Sequence, residues 1–229
     1  MLRWVSNVDE RATRLLWVYG PPGAGKSSCI TSLVREFEDA HILYGKMFFD
    51  RQISASTNAN AIFPTVACQL ADARCPPAVA QTIEGALVSN PSIANGLTSL
   101  QVEELFVRPL QIAAETDSTQ PLVVVFDALD ECERMKVKDV ARHLSSAVKA
   151  LPANVKIIIS SRTDVEITTP FNALLTKNLA HSIHLDTSSP ASAHDVALMR
   201  CARYWLTTMT ITARTRMRSY LRIGQGKYR

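Results

Sequence analysis

The sequence has no long apolar run free of charge, no paired-cysteine motif, no apolar leader and no internal repeat, and each absence narrows what the chain is. Its longest uncharged stretches, 52–71 and 85–102, are interrupted by Ser, Asn, Thr, Gln and Pro, so neither reads as a membrane span. The opening from Met1 to Glu10 lacks the apolar centre of a secretory signal, and the expectation is a cytoplasmic protein. Five cysteines, Cys29, Cys68, Cys75, Cys132 and Cys201, show neither C-x-x-C pairing nor zinc spacing; reduced, unbridged thiols are expected. What is present is ordinary globular material. Of 229 residues, 47% are apolar and 20% charged, which argues against disorder, collagen and coiled coil. The length suits one sizeable domain with an appendage, or two small ones.

The net charge of +4 is unevenly spread. Residues 191–229 carry seven Arg and one Lys against one Asp, whereas the first 190 carry 17 Lys and Arg against 20 Asp and Glu. The main body is therefore mildly acidic, and by composition it is not a nucleic-acid binder.

Five short runs read as strands: 15–19, 43–49, 122–126, 156–160 and 182–185. Stretches of helical period lie between them, such as Ile30, Leu33, Val34 and Phe37, then Val140, Leu144, Val148 and Leu151. The runs Leu122 to Phe126 and Ile157 to Ile159 are apolar throughout, as strands buried on both faces of a parallel sheet must be. Between the second and third strands three helices are expected, around 63–73, 78–88 and 99–115, broken at Pro76, Pro77 and Pro91. One α/β domain over residues 10–190 accounts for all of this, leaving 191–229 as a basic tail. That tail is expected to be a poorly ordered basic end, with a basic edge strand and a basic helix face as the alternatives.

Directly after the first strand comes Gly20, Pro21, Pro22, Gly23, Ala24, Gly25, Lys26 and Ser27, with Ser28 next. This matches the phosphate-loop pattern Gly-x-x-x-x-Gly-Lys-Ser/Thr. Glycines allow the turn that aims backbone N–H groups at phosphates, Lys26 reaches the β and γ phosphates, and the Ser27 hydroxyl is a Mg²⁺ ligand. The positive end of the following helix dipole faces the same anion. No Asn-Lys-x-Asp motif follows to read guanine, which favours ATP over GTP.

A second signal closes the most apolar strand: Phe126, Asp127, Ala128, Leu129, Asp130, Glu131, Cys132. Asp127, at the carboxyl end of a buried strand beside the phosphate loop, is placed to support Mg²⁺. Asp130 and Glu131 are candidates to orient or deprotonate an attacking water; acidic residues also simply cap helices. The histidines suggest no metal site, since His181 and His184 would face opposite sides of a strand. Cys29 reads as a small buried hydrophobe, and Phe48 and Phe49 as core.

The phosphate loop, the run Met47 to Arg51, the run Ile62 to Ala67, the Asp-Ala-Leu-Asp-Glu-Cys segment and Ile158-Ile159-Ser160-Ser161-Arg162 together resemble a known group. The chain is similar to the NACHT-type NTPase domain, of the STAND class, found in fungal NOD-like receptors in its nephrocystin-3-like N-terminal version. The resemblance spans about residues 10–190. It implies a three-layer P-loop NTPase with a five-stranded parallel sheet of order 5-1-4-3-2, and a role for Arg162 as a sensor near the γ-phosphate. It also implies a Mg-dependent ATPase that exchanges ATP and ADP and assembles, with itself or with others, through this domain. Family members usually carry an effector segment before the domain and a winged helix and repeats after it. The 39 residues after 190 hold neither, so an isolated or truncated switch domain is expected. Two other readings stay open from the residues: a nucleotide-gated binding module without turnover, and a P-loop kinase acting on a small molecule.

Overall fold

The two runs expected to be central strands, being apolar on both faces, are central. The computed structural model describes residues 2–72 and 75–186. The elements in order are α1 (Leu2–Val5), β1 (Leu15–Tyr19), α2 (Lys26–Asp39), β2 (Leu43–Phe48), α3 (Ser54–Thr57), α4 (Ile62–Leu70), α5 (Pro77–Ser89), α6 (Ser99–Val102), α7 (Arg108–Thr116), β3 (Leu122–Asp127), α8 (Val137–Ala150), β4 (Val155–Ser161), α9 (Val165–Leu175) and β5 (Ala180–His184). The sheet order is β2-β3-β4-β1-β5, with every described pairing parallel. Read from the other edge this is the expected order 5-1-4-3-2. β4 thus separates the phosphate-loop strand from the acidic strand.

Period-two alternation sends each strand's side chains into two different cores. Leu15, Trp17, Val124, Phe126, Ile157 and Ile159 meet α4 to α9 on one face. Leu16, Val18, Val123, Val125 and Ile158 meet Ile30, Leu33, Val34 and Phe37 of α2 on the other. Both faces are apolar, so β3 and β4 show no polar alternation. Trp17 and Phe171 pack edge to face at 5.6 Å, which ties β1 to α9. The outer edge of β2 is blunted by a side chain: Gln69 of α4 accepts from the Lys46 N–H at 2.7 Å and donates to its carbonyl at 2.9 Å. That pairing occupies backbone groups which an edge strand otherwise offers to another chain.

Three expectations are corrected. Phe48 is 39% exposed, because Met47 and Phe49 take the inward positions and alternation turns Phe48 outward. β5 begins at Ala180, which pairs with Leu15. The helix expected over 99–115 is interrupted by a π turn at Glu103–Val107. There the Arg108 N–H reaches back to the Glu103 carbonyl, immediately before Pro109, which has no N–H to continue the ladder. Cys29 is half-buried at the edge of the α2 core. Among the described residues no helix is long and apolar enough to cross a membrane. Cys201, the tail and its charge lie outside the described residues.

Candidate functional site

The carboxyl ends of β1, β3 and β4 bring together most of the residues singled out from the sequence. Parallel strands joined by helices put their carboxyl ends on one rim, and ligands of open α/β sheets bind in crevices there. Gly20 to Gly25 leave β1 and feed α2, which begins at Lys26. Gly23 and Gly25 take left-handed backbone with φ of 78° and 84°, which residues with a Cβ adopt reluctantly. Gly20 is required for a different reason. A Cβ built on it would lie 2.1 Å from the Leu185 carbonyl oxygen, where the chain leaves β5. The first turn of α2 holds no acidic residue and no side-chain cap, with Ser27 and Ser28 exposed on it. The N–H groups of Lys26, Ser27 and Ser28 and the helix dipole are free to meet an anion.

Lys26 is buried and donates to the carbonyls of Gly20 at 2.9 Å and Pro21 at 2.8 Å. Burial holds its ammonium below the ordinary lysine range, an effect opposed by Asp130, reinforced by Arg162 and opposed by Asp127. Those three residues therefore share one electrostatic environment with the phosphate loop.

Asp127 is 4% exposed, and the Ser160 hydroxyl donates to its Oδ1. The same hydroxyl accepts from the Ala128 N–H at 2.8 Å. Ala128 sits at φ 59°, an uncommon conformation for a residue with a Cβ, and this contact anchors it. The turn then carries Asp130 and Glu131 towards Arg162. Asp130 Oδ1 accepts from the Arg162 backbone N–H at 2.9 Å, and Arg162 Nε lies 3.1 Å from Oδ2. Glu131 Oε1 is 3.6 Å from Arg162 Nη2. Arg162 is held from behind as well: the Trp17 indole donates to Ser161 Oγ at 2.9 Å, and that hydroxyl donates to the Arg162 carbonyl at 2.9 Å.

Asp127, Asp130, Glu131, Arg162, Lys26 and the loop Gly20 to Ser28 thus lie on one rim. Ser160, Ser161 and Arg51 join them without having been assigned a role from the sequence. A signal for the serines was present, since two hydroxyls close the apolar run Ile157 to Ile159 beside the strand that ends in Asp127. Arg51 comes from the loop after β2, 79 residues before Asp130, and no local pattern marks such a contact. Among the described residues no His, Cys, Asp and Glu cluster could hold a metal ion on protein ligands alone. Mg²⁺ needs no such cage, because it keeps several waters and binds through one or two protein oxygens and the substrate's phosphates. The Ser27 hydroxyl and the Asp127 carboxylate fit that pattern, with one Asp127 oxygen fixed by Ser160.

The family model described as Nephrocystin 3, N-terminal, matches residues 1–162. The chain belongs to that family. The nephrocystin 3 N-terminal match takes in the phosphate loop, the acidic strand end and β4 with Arg162, and the sheet is that of a P-loop NTPase. No curated protein matches the chain. Among the solved structures similar to it are the following three. The Orc1 protein of Aeropyrum pernix, in complex with DNA, is 13% identical at a TM-score of 0.44, covering 88% of this chain and 48% of that one. A Walker-type ATPase of Pyrococcus abyssi is 16% identical at 0.45, covering 83% and 53%. Cdc6p of Pyrobaculum aerophilum is 15% identical at 0.40, covering 88% and 46%. This family member spans about half the length of each.

Proposed function

We propose that the chain binds ATP with Mg²⁺ at the phosphate loop, hydrolyses it slowly, and serves as a cytoplasmic signal-transduction switch whose assembly state changes with the nucleotide, in the manner of NACHT-type domains. The working unit in this reading is residues 10–190. One observation carries it: an uncapped helix N-terminus faces a rim where Lys26, Asp127, Asp130 and Arg162 share one electrostatic environment. In this reading the loop Gly20 to Ser28 cradles the phosphates with backbone N–H groups and Lys26 exchanges its two carbonyl partners for phosphate oxygens. Ser27 and Asp127 would hold Mg²⁺, which when bound supplies positive charge against the phosphates. Asp130 or Glu131 orients a water towards the γ-phosphorus and takes its proton as the bond to ADP breaks. Arg162 senses the γ-phosphate, since its guanidinium matches phosphate geometry.

A second reading, a nucleotide-gated binding module without turnover, is favoured by the two ion pairs of Arg162. Both candidate water-handling carboxylates are paired with Arg162, and a carboxylate so engaged is not free to act as a base. Phosphate release decides between them. At saturating ATP, wild type should release phosphate slowly, and Asp130→Asn or Glu131→Gln should slow it by about 10²- to 10⁴-fold with little change in ATP affinity. Binding without release supports the module. Release unaffected by either substitution contradicts the assignment of the water-handling residues.

A further inference from the structure

The acidic turn after β3 is gripped from two sides, and only one grip touches the Asp130 carboxylate. On one side Arg162 engages the carboxylates themselves, with its backbone N–H on Asp130 Oδ1, Nε at 3.1 Å from Oδ2 and Nη2 near Glu131. The Asp130 side chain is 5% exposed, and its Oδ2 has no aligned hydrogen bond despite that ion pair. On the other side lies the segment that follows β2. The Phe49 N–H donates to the Asp127 carbonyl at 3.0 Å, just before the turn, and the Thr57 carbonyl accepts from the Glu133 N–H at 3.0 Å, just after it. Between these, Arg51 Nη2 donates to the Asp130 backbone carbonyl at 2.8 Å, and the Arg51 N–H donates to Glu131 Oε2 at 3.3 Å. The segment is itself stiffened: the Ser56 hydroxyl donates to the Asp50 carbonyl at 2.9 Å and accepts from the Asp50 N–H at 3.1 Å, while Asp50 Oδ1 accepts from the Gln52 N–H at 2.9 Å.

We infer that Arg51 is a positioning residue for hydrolysis, holding the Asp130–Glu131 turn in its working pose when Arg162 turns to the γ-phosphate. This rests on the hydrolase reading given above. The two arginines do different chemistry. The Arg162 side chain lies against Asp130 Oδ2, where a water would need to stand, so it must turn away before Asp130 can act. The Arg51 guanidinium binds the main chain instead, and leaves both carboxylate oxygens of Asp130 available. Once the Arg162 side chain has turned away, its backbone N–H still holds Oδ1, and the tie from Arg51 to the Asp130 carbonyl holds the turn that carries the carboxylate. A misplacement of about 1 Å at a reacting group can cost about 10²-fold in rate.

The test combines turnover with amide exchange. Arg51→Ala should lower phosphate release at saturating ATP by about 10- to 100-fold with ATP affinity held, and Arg51→Lys, which keeps a donor and the charge, should restore most of it. In a chain already carrying Asp130→Asn and Glu131→Gln, adding Arg51→Ala should cost nothing more, because the groups it positions are gone. Amide exchange at Glu131 and Cys132, whose N–H groups close the turn onto Ala128 and Leu129, should quicken in nucleotide-free Arg51→Ala and quicken further with a non-hydrolysable ATP analogue. That readout stands whether or not the domain turns over ATP, so it separates this inference from the hydrolase reading. The inference is overturned by unchanged exchange at those amides, by unchanged release in a protein whose carboxylate variants are impaired, by a parallel loss of ATP affinity, or by a further loss in the carboxylate double variant.

Discussion

Ser160→Ala probes the site with the least disturbance to its shape, because it removes one oxygen from a fully buried position. That oxygen makes two contacts: it donates to Asp127 Oδ1 and accepts from the Ala128 N–H at 2.8 Å. A hydrogen bond to a charged group contributes about 1.5 to 3 kcal/mol. Leaving the Ala128 N–H without its acceptor adds about 1 kcal/mol, at the low end of the usual range because Ala128 is half-buried. The expected loss is therefore about 2.5 to 4 kcal/mol, read from urea unfolding with an unchanged denaturant slope. The same substitution frees Asp127 to rotate and releases Ala128 from the contact that anchors its left-handed backbone. Mg²⁺-dependent ATP binding should then weaken more than Mg²⁺-free binding. A loss below about 0.5 kcal/mol, within the range of neutral surface changes, would refute the claim that this hydroxyl organises the end of β3.

Other substitutions test separate parts of the account. Gly20→Ala places a Cβ 2.1 Å from the Leu185 carbonyl oxygen and should cost about 2 to 4 kcal/mol by forced backbone movement; a variant as stable as wild type in thermal melts would show that β5 can yield. Lys156 is fully buried at the start of β4, donating to the Thr13 carbonyl at 3.0 Å and 5.3 Å from the centre of the Trp4 ring. Burial, with Arg14 adding to it, lowers Lys156 from the usual 10.5 to about 8. Through that window the unfolded chain holds a proton that the folded chain does not, so stability should rise as pH climbs from about 8 towards 10.5, by at most about 3 kcal/mol. Lys156→Met should flatten the rise in urea midpoints, and parallel curves would contradict it. A chain ending at residue 190 should keep its ATP affinity within about twofold if the tail stands apart from the folded unit; loss of binding would make the tail part of it.

How much of this could be read in advance follows from where each signal resides. The strands β3 and β4 were legible because burial on both faces leaves unbroken apolar runs, and the phosphate loop because its geometry demands glycines at fixed spacing. β5 was placed two residues late, since Ala180 and His181 have little strand character of their own and enter the sheet only through pairing with Leu15 and Leu16. Phe48 looked like core by composition, and only its register on β2 turns it outward. The interruption at Glu103–Val107 is local, yet an apolar pattern of helical period does not show where a proline has displaced the hydrogen-bond ladder. Asp127, Asp130 and Glu131 stood out because charge at the end of an apolar strand is unexpected, whereas Arg162 was marked only by the family resemblance. Their partners were harder: Ser160 is marked only by closing an apolar run beside the acidic strand, and Arg51 meets the acidic turn through tertiary contacts that no sequence window contains.

The central claim is that the loop from Gly20 to Ser28 binds the phosphates of ATP through Lys26. The direct measurement is the stability of wild type and Lys26→Ala as ATP with Mg²⁺ is raised. At about a thousandfold above the dissociation constant, wild type should gain about 4 kcal/mol by mass action, and Lys26→Ala should gain almost none while keeping a cooperative unfolding transition. Equal gains in the two proteins would contradict the account.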